Sequence, residues 1–369
     1  MNQPKLNIFP RYDKNAESWT MRHARKSSFL ATSRASESSL LLGSHFWEVH
    51  NDSESCSKEG KRSYTASLNL HACSSQQFAC DNAFCVMMEK RCDGIEDCND
   101  GSDEQDCGKL IQRQGYKKEL TPIPENGGYV SVDFSLTILD IELNEQTQSF
   151  IVKASNTKVW YDHRLAYRHL KRNSGVEMNA LLIEDQNAIW YPYTIFNNMR
   201  SRDCIKGTDV PDTYGVVPNE NFTYETRNNM HIFKGSENAL KMTKEQNVEW
   251  KCNYIYQWYP FDTQVCRMEI VSRERHTEFH PVQLIVNPAI YLNSYTLTKI
   301  KMCRSNILEK EAVVVEVTMG RPIIHNFLTV FVPTILLIVI SFTARAFAED
   351  YMDMVIQVNL TILLVLATM

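Results

Sequence analysis

The strongest constraint on how this chain can fold is a cluster of cysteines. Six of its eleven cysteines fall within the 35 residues from 73 to 107. Such a density belongs to an oxidising compartment, where thiols pair as disulfides. A segment this short cannot bury enough apolar surface to stabilise itself, so disulfides and a metal are expected to hold it together. The cluster therefore predicts a small disulfide-rich unit outside the cytosol.

The end of this cluster is crowded with carboxylates. From Cys92 to Glu104 the sequence reads CDGIEDCNDGSDE. Oxygen ligands at this density repel one another unless a cation lies among them, and Ca²⁺ takes six to eight of them. With cysteine gaps of 6, 4, 6, 5 and 8 residues, residues 73–107 resemble the low-density lipoprotein receptor class A module, hereafter the LDL-A module, over its whole length.

This resemblance implies a bonding pattern and a bound calcium ion. The disulfides would be Cys73–Cys85, Cys80–Cys98 and Cys92–Cys107. The calcium ligands would be the carboxylates of Asp93, Asp97, Asp103 and Glu104 and the backbone carbonyls of Lys90 and Ile95. The family usually has an aromatic residue where Lys90 stands, and a cation there opposes the capture of lysines on a partner. A calcium-stabilised spacer is thus at least as good an interpretation as a recognition module.

The segment before the module, residues 1–72, is rich in serine and in both signs of charge, with no sustained apolar period. We predict that it is disordered. A secretory signal needs about 7–15 consecutive apolar residues, and none occurs near Met1. That absence conflicts with the disulfides, so we expect the native N-terminus to differ from the one printed.

From Gly127 to Gly320 the sequence alternates between apolar and polar residues. One period-2 face carries Val130, Val132, Phe134, Leu136, Ile138 and Asp140, and similar runs occur at 149–159, 295–302 and 312–319. About 200 residues of such strands predict a two-layered β-sandwich and a mainly β fold class. The predicted order is disordered 1–72, LDL-A module 73–107, linker 108–126, sandwich 127–321, first helix 322–342, linker 343–354 and second helix 355–369.

The two predicted helices are apolar enough to suggest a membrane. Ile323 to Phe342 is a nearly uncharged run of 20 residues, the length that a bilayer core requires. The second stretch places Gln357, Thr361, Leu364 and Thr368 on one helical face, and a polar stripe on a membrane helix indicates contact with water or another helix. Its fifteen residues to Met369 span only about 22 Å of the roughly 30 Å core. We therefore expect the chain to be a C-terminally truncated piece.

A second cysteine motif lies in the sandwich. Cys252 and Cys266 enclose 13 residues that include Tyr-Pro-Phe-Asp at 259–262. An aromatic residue before proline favours a tight turn, and a disulfide closing about 15 residues contributes roughly 3 kcal/mol. Trp-Tyr-Asp at 160–162, Trp-Tyr-Pro at 190–192 and Arg-Pro at 321–322 accompany the loop in order. Residues 129–369 therefore resemble a subunit of the pentameric Cys-loop ligand-gated ion channels.

The resemblance implies an assembly, a location and a disulfide. It implies an agonist-gated pore in the plasma membrane with an extracellular N-terminal domain, a postsynaptic position being one option. The implied partners are a small-molecule agonist, four further subunits, the membrane and inorganic ions. It also implies the Cys252–Cys266 bond. The alternative from another class is a non-conducting secreted or membrane-anchored ligand-binding or adhesion protein built on the same sandwich.

The resemblance also implies residues that couple binding to gating. Glu145 and Asp262 would supply carboxylates to Arg321, which would be costly to bury alone, and Phe261 would press on the channel domain. A purely structural ion pair is the alternative. In the pore helix, Leu364 would form the gate ring, and Gln357, Thr361 and Thr368 would touch ions. Packing of this helix without a pore is the alternative there.

The agonist pocket departs from the pattern of amine receptors. Ser155 and Arg273 stand where those receptors have aromatic residues, and Phe196 is the aromatic candidate that remains. Arg273 would instead pair with an anionic group of a ligand, or the site is degenerate. The linker from Arg345 to Asp353 has one positive and three negative residues, which favours cation conduction in five copies.

The remaining features add little to this reading. Asn221-Phe-Thr223 is a glycosylation motif. Cys56, Cys204 and Cys303 are left unassigned, a Cys204–Cys303 bridge being one option. The net charge of −5 and the absence of a basic run argue against nucleic acid. The sequence has no Gly-rich phosphate loop, GxSxG or HExxH motif, which argues against an enzyme.

Overall fold

The computed structural model describes residues 8–23, 29–34, 41–50, 63–74, 76–124, 127–172, 179–201, 205–208, 210–221, 223–227, 230–307, 310–344 and 352–368. The chain forms two compact units. Unit 1 contains Met1–Tyr116, Asp162–Ala188 and Gly215–Ala239, and unit 2 contains Lys117–Tyr161, Ile189–Tyr214 and Leu240–Met369.

The strands in the described part of the chain come first in this order: β1 (Ile8–Asp13), β2 (Ser18–His23), β3 (Phe29–Ser33), β4 (Gly43–His50), β5 (Ser63–Leu70), β6 (Gln77–Ala79), β7 (Cys85–Met87) and β8 (Leu110–Gln112). The later strands are β9 (Val130–Asn144), β10 (Ser149–Trp160), β11 (Leu165–Arg168), β12 (Thr194–Phe196), β13 (Ile205–Gly207), β14 (Thr213–Val217), β15 (Glu225–Arg227), β16 (Met230–Lys234), β17 (Ala239–Lys251), β18 (Thr263–Ser272), β19 (Thr277–Val286), β20 (Thr296–Ile307) and β21 (Lys310–Gly320). The helices are α1 (Ile183–Ala188), α2 (Ile323–Asn326), α3 (Val332–Ala344) and α4 (Met352–Thr368).

The N-terminal segment is folded where the structure describes it, so the prediction of disorder for residues 1–72 is wrong there. β1 to β5 form one antiparallel sheet in sequence order. Trp47 is fully buried in it, with Met21 and Ala31 packed nearby. A few large apolar residues on alternate positions are enough to bury one face of a sheet. The average composition of this serine-rich segment does not reveal these few apolar residues.

The rest of unit 1 consists of the LDL-A module and a four-stranded sheet. The module has one short hairpin, β6–β7, and a small core of Phe78, Cys80 and Cys98. The sheet has the order β15-β16-β11-β8. So small a core agrees with a unit that depends on its disulfides.

Unit 2 contains the predicted sandwich, which confirms the mainly β fold class. One sheet includes the order β13-β17-β10-β9-β19, in which β19 runs parallel to β9, and the other has the order β12-β18-β21-β20. The buried residues of β9 alternate as predicted from Val130 to Ile138, but Asp140 is exposed and Ile141 is buried. An irregularity in the pairing with β10 skips Leu139, and one extra residue in a strand moves the following side chains to the opposite face.

The C-terminal part of unit 2 is helical. A π-helical turn at Phe327–Phe331 joins α2 to α3, and Ser341 of α3 donates a hydrogen bond to Asn359 Oδ1 of α4 at 2.6 Å. In the described part of the chain, no helix is both long and apolar enough to cross a membrane. The membrane-spanning helices therefore stay a prediction.

Lys158 of β10 is a buried charge-bearing residue in unit 2, with only 3% of its surface exposed. Its Nζ donates to the Pro192 carbonyl at 2.8 Å and lies 3.3 Å from Thr194 Oγ1, and neither acceptor is charged. Burial, reinforced by the charge of Lys244, lowers the pKa of Lys158 to about 7. In an unfolded chain the same amine has a pKa near 10.4.

This difference predicts that stability depends on pH. Between pH 7 and about 10 the unfolded chain binds more protons than the folded one, so Lys158 makes stability rise with pH, by at most about 1.4 kcal/mol per unit. We expect the melting temperature of the purified chain to increase from pH 7 to about 9, and Lys158→Met to remove most of that increase. Lys153→Met, at a half-exposed position of the same strand, is the control that should retain it. Identical pH profiles for the wild type and Lys158→Met would contradict the assignment.

Candidate functional site

Arg321, one residue beyond the end of β21, is the centre of a cluster of charged and aromatic side chains. Its Nε donates to Asp262 Oδ1 at 2.7 Å, and its Nη2 lies 3.4 Å from Glu145 Oε2. The side chain of Arg321 is 9% exposed and that of Asp262 is 2% exposed. The structure thus brings together the three charged residues that the resemblance implied, with the Arg321 side chain largely buried, Asp262 buried and Glu145 partly exposed.

Three further residues complete this Arg321 cluster, and sequence reasoning missed them. Arg321 Nη2 donates to the Tyr295 hydroxyl at 2.5 Å, and the guanidinium lies 4.3 Å from the Tyr295 ring centroid. The Tyr256 hydroxyl donates to Glu145 Oε2 at 3.0 Å, and Gln264 Nε2 to Asp262 Oδ2 at 2.6 Å. Tyr256 and Gln264 lie inside the Cys252–Cys266 segment. The polar Gln264, close to Asp262 in the sequence, was a usable signal for a partner of that carboxylate. Nothing in the sequence connects Tyr295 with Arg321.

The electrostatics of the cluster favour a permanent charge on Arg321. Burial by itself lowers the pKa of the guanidinium, but the hydrogen bond to Asp262 and the fields of Tyr295, Asp262 and Glu145 raise the pKa above its usual value. Burial also raises the pKa of the Tyr295 hydroxyl, which keeps that hydroxyl protonated. The cluster therefore holds a charged, largely buried guanidinium against the side chains of Asp262 and Glu145.

The loop that carries Asp262 is closed by the Cys252–Cys266 disulfide, with a Cα–Cα distance of 5.1 Å. Tyr259–Pro260 is a cis peptide bond at its tip, and Phe261, directly before the buried Asp262, is 62% exposed. Successive side chains thus point in opposite directions, one into the cluster and one to the surface. The exposed ring is available to a neighbouring element.

The LDL-A module contains the three disulfides that the resemblance implied, Cys73–Cys85, Cys80–Cys98 and Cys92–Cys107. Asp103 is fully buried, and its Oδ2 accepts a hydrogen bond from the Asp97 amide at 2.7 Å. Its Oδ1 is buried with no hydrogen-bond partner among the described residues. A buried carboxylate oxygen without a partner is costly unless a cation meets it, so Asp103 fits the role of a calcium ligand.

The other predicted calcium ligands are arranged around the same loop. Glu104 accepts hydrogen bonds from the amides of Asp93 at 2.8 Å and Gly94 at 3.1 Å. Lys90 Nζ lies 2.5 Å from Asp97 Oδ1, and this hydrogen bond raises the pKa of Lys90. The Lys90 ammonium thus competes with a metal ion for Asp97. Ile95, whose amide hydrogen-bonds Asp93 Oδ1 at 3.0 Å, lies on the same loop.

Among the described residues, the one group of three potential ligand atoms within 4.8 Å of one another is Cys80, Cys98 and Asp100. Its two sulfurs form a disulfide, so it is not a metal site. Asp100 instead accepts hydrogen bonds from the Asn82 amide at 2.8 Å and from the Ser102 hydroxyl at 2.6 Å. The four predicted carboxylates do not converge within that distance in the described structure.

The three agonist-pocket candidates are not gathered into one site. Phe196 is buried against Trp250, with ring centroids 5.2 Å apart, so its ring belongs to the sandwich core and not to an exposed pocket. Ser155 lies in the middle of β10, paired with Glu245. Arg273 is exposed, and its guanidinium lies 5.4 Å from the Tyr193 ring. Of the three, Arg273 alone is placed to meet a ligand from solvent.

A charged groove lies near Arg273 within unit 2. It has a volume of about 570 Å³, and its lining includes Glu274, Arg275, Glu278, Lys310 and Glu311. Lys310 Nζ lies 3.4 Å from the Arg273 carbonyl. Sequence reasoning missed this groove because its residues come from the β18–β19 turn, from β19 and from the β20–β21 hairpin. These elements belong to two sheets, and only the folded unit brings them together.

The polar stripe of α4 is exposed along the helix. Gln357, Thr361 and Leu364 are exposed, while Asn359 accepts a hydrogen bond from Ser341 of α3 and Ile362 is buried. Thr368 ends the helix. Residues 345–351, including three of the four charges of the predicted linker, lie outside the described residues, and so do Cys56 and Cys204. Cys303 is a free, exposed cysteine, so the option of a Cys204–Cys303 bridge is wrong.

Asn221 of the glycosylation motif is exposed in a turn. Its backbone N–H donates a hydrogen bond to Asn219 Oδ1 at 3.2 Å. The Thr223 hydroxyl bonds to Glu237 Oε2. The position is therefore accessible to modification.

Comparison with known proteins places these features in context. The family model for the neurotransmitter-gated ion-channel ligand binding domain matches residues 104–319, which is more than half of the chain. The model for the low-density lipoprotein receptor domain class A matches residues 71–107.

Three curated relatives cover parts of the chain. Glycine receptor subunit beta-type 4 of Caenorhabditis elegans is 22% identical over 71% of this chain and 53% of the relative. Acetylcholine receptor subunit delta of Xenopus laevis is 21% identical over 47% of this chain and 29% of the relative. Serotonin-gated chloride channel mod-1 of Caenorhabditis elegans is 25% identical over 46% of this chain and 31% of the relative. The chain thus spans about half or less of the length of these relatives.

Proposed function

Because the chain belongs to the family of neurotransmitter-gated ion-channel ligand-binding domains, we propose that it is part of a subunit of a pentameric, agonist-gated ion channel at the plasma membrane. Agonist binds between extracellular domains and opens a pore lined by α4. Unit 1 adds a calcium-loaded LDL-A module, and Asn221 carries a glycan.

The observation that carries this proposal is the Arg321 cluster. Arg321 directly follows β21, and α2 begins at Ile323. Its partners come from the β9–β10 turn (Glu145) and from the Cys252–Cys266 loop (Asp262). Any movement of the sandwich strands is therefore transmitted through a buried charge network to the first residues of the helical part. Phe261, directly before Asp262, is 62% exposed, so its ring is free to press on the helical part in the assembled channel.

The arrangement of α4 supports a pore-lining role. Gln357 and Thr361 of its polar stripe are exposed, and Leu364 on the same stripe is 69% exposed. A large apolar side chain between polar ones on one exposed face suits a hydrophobic gate, which closes a pore by dewetting. Five such helices around an axis would place five Leu364 side chains in one ring. The membrane position of α3 and α4 belongs to this proposal.

The proposal that the LDL-A module binds calcium rests on the oxygen ligands that its loop offers. Asp103 offers a buried oxygen without a partner, and three more carboxylates, Asp93, Asp97 and Glu104, lie on the same loop. Calcium would supply charge neutralisation and oxygen coordination there. These residues would orient the loop around the ion, with the backbone carbonyls of Lys90 and Ile95 as further ligands.

The agonist is expected to carry an anionic group. Arg273 is exposed beside the Tyr193 ring, and an aromatic cage for a quaternary amine is not formed by Ser155, Phe196 and Arg273. A guanidinium recognises a carboxylate through charge-assisted hydrogen bonds.

The decisive test is expression of the subunit in voltage-clamped cells exposed to a panel of amines and acidic amino acids. We expect an acidic ligand to evoke current, and Arg273→Gln to weaken its apparent affinity by at least about tenfold. Arg267→Gln, at an exposed arginine paired with Glu316, is the matched control. A high-affinity response to choline esters would contradict this assignment, and surface binding of ligand without any current would favour the non-conducting binding protein.

The same recordings decide ion selectivity. One relative is named a chloride channel, whereas the acidic stretch from Arg345 to Asp353, which ends in the first turn of α4, favours cations electrostatically. We propose cation conduction, so the reversal potential should follow external Na⁺ and not external Cl⁻. A reversal potential that tracks Cl⁻ would overturn this part of the proposal.

A further inference from the structure

A cavity of about 520 Å³ lies within unit 1, between the LDL-A module and the segment that follows β11. The module contributes Met88, Glu89, Arg91 and Asp93, and the opposite wall contains residues 169–172 together with Tyr224, His231 and Phe233. This volume is in the range of small-molecule sites. Because the module provides one wall, the cavity is not a property of the sandwich alone.

The walls of the cavity are held together by specific contacts. Lys171 Nζ bonds to the carbonyl of Glu89 and to that of Arg91, the latter at 2.7 Å. Arg168 forms a two-pronged ion pair with Asp106 at 2.9 and 3.0 Å, and its Nε donates to the Gly108 carbonyl at 2.6 Å. The module is therefore clasped at two points, and the cavity is preformed.

Two residues of the cavity wall each have a side-chain nitrogen without a hydrogen-bond partner among the described residues. Arg91 Nε and His169 Nε2 are buried and have no hydrogen-bond partner among the described residues. Arg91 is 7% exposed and His169 is 8% exposed. His169 also has a backbone φ of +58°, a region that residues other than glycine seldom adopt and that clusters at ligand sites. Unsatisfied buried nitrogens are costly, so an acceptor group that reaches them would be favoured.

The charges around the cavity favour an anion. Three cationic side chains, Arg91, Lys171 and Arg172, line it against the two carboxylates of Glu89 and Asp93. The two Lys171 hydrogen bonds are to neutral carbonyls, and the carboxylates of Asp93, Glu104 and Glu89 act on its charge through their electrostatic fields.

Burial is the main influence on the pKa of the His169 imidazole, and nearby cations add to it. Burial and then the charges of Arg91, Arg168 and Lys109 lower the pKa of His169 to about 3, despite the opposing field of Asp106. The imidazole is therefore neutral at physiological pH, and one of its nitrogens is a donor.

The cavity also offers an aromatic wall. Tyr224, 44% exposed, is stacked on His231 with ring centroids 3.9 Å apart, and it meets Phe233 edge-on at 5.8 Å. Such a surface contacts a flat apolar body. We propose that this cavity binds a small organic anion, a carboxylate carried on an aromatic or apolar body, at the junction of the LDL-A module and the β11–β16 sheet.

The test compares two probes with the same aromatic body and opposite charge. Indole-3-acetate and tryptamine are titrated into the full chain by isothermal titration calorimetry, with calcium present throughout. We expect indole-3-acetate to bind at least about tenfold more tightly than tryptamine. Equal affinities, or no heat from indole-3-acetate up to about 5 mM, would overturn the proposal.

Variants at two exposed positions locate the binding. Arg172→Gln and Tyr224→Ala should each weaken indole-3-acetate by about fivefold or more, with an unchanged near-ultraviolet circular dichroism spectrum to show that they fold. The surface variant Arg267→Gln is the control that should bind as the wild type does. Loss of binding in Arg273→Gln together with retention in Arg172→Gln and Tyr224→Ala would place the probe near the agonist groove and overturn the proposal, without affecting the channel assignment.

Discussion

Replacing Arg321 with glutamate is expected to abolish agonist-evoked current. The substitution puts a third carboxylate beside Asp262 and Glu145, in a place where the arginine side chain is only 9% exposed. Removing one partner of a buried ion pair costs about 3–5 kcal/mol, and here the new charge adds repulsion. Surface labelling of the subunit must accompany the voltage-clamp recording. A loss of current reports a defect in gating only if the variant subunit reaches the cell surface.

A second substitution distinguishes coupling from a structural ion pair. Glu145→Arg in the Arg321→Glu background restores an opposite charge across the 3.4 Å contact, and we expect it to recover part of the current. Arg267→Glu makes the same change of charge on β18 at a side chain that is 61% exposed, where ion pairs contribute at most about 1 kcal/mol, so it should gate normally. Normal gating by Arg321→Glu, or no rescue in a double variant that reaches the surface, would argue for the structural interpretation.

Replacing Asp103 with asparagine is expected to remove calcium binding from the LDL-A module. The carboxylate is fully buried with one oxygen unpartnered, and the affinity of calcium sites is set by the number of charged ligands and by rigidity. We expect calcium affinity, measured by isothermal titration calorimetry, to fall by at least about a hundredfold. Chelation of calcium from the wild type should make residues 73–107 susceptible to proteolysis, because so small a core does not suffice.

The control for this prediction comes from the same module. Asp106→Asn alters a carboxylate that is 73% exposed and bonded to Arg168, outside the predicted ligand set. It should retain calcium affinity. If the Asp103→Asn variant binds calcium as tightly as the wild type, the ion is absent or is held elsewhere.

The family and its main parts were predictable because they rest on covalent or short-range features. Cysteine spacing identified the LDL-A module, and the family match at residues 71–107 confirms that recognition. Alternation along β9 identified a strand, since period-2 burial is a local property. The match at residues 104–319 confirms the channel family.

The errors arose where packing overrides composition or local pattern. The serine-rich N-terminal segment contains a sheet in which Trp47 of β4 is fully buried, with β3 and β5 paired on either side of that strand. Asp140 left the predicted face because of a register shift opposite Lys153. Phe196 has the right residue type for a ligand cage, yet it packs on Trp250 in the core. No local pattern reports such pairings.

For the LDL-A module and the Arg321 ion cluster, cysteine spacing and a set of motifs in order supplied a family resemblance, and that resemblance implied the three disulfides and the partners of Arg321 that the folded chain contains. An unpaired buried guanidinium is costly, which is why carboxylates were expected beside it. The Tyr295 contact, the clasp formed by Arg168 and Lys171, and the cavity beside His169 were decided only by the folded chain. Each joins residues from separate strands or loops, and their distances depend on how sheets and loops pack in three dimensions. Spacing along the chain carries no information about those distances.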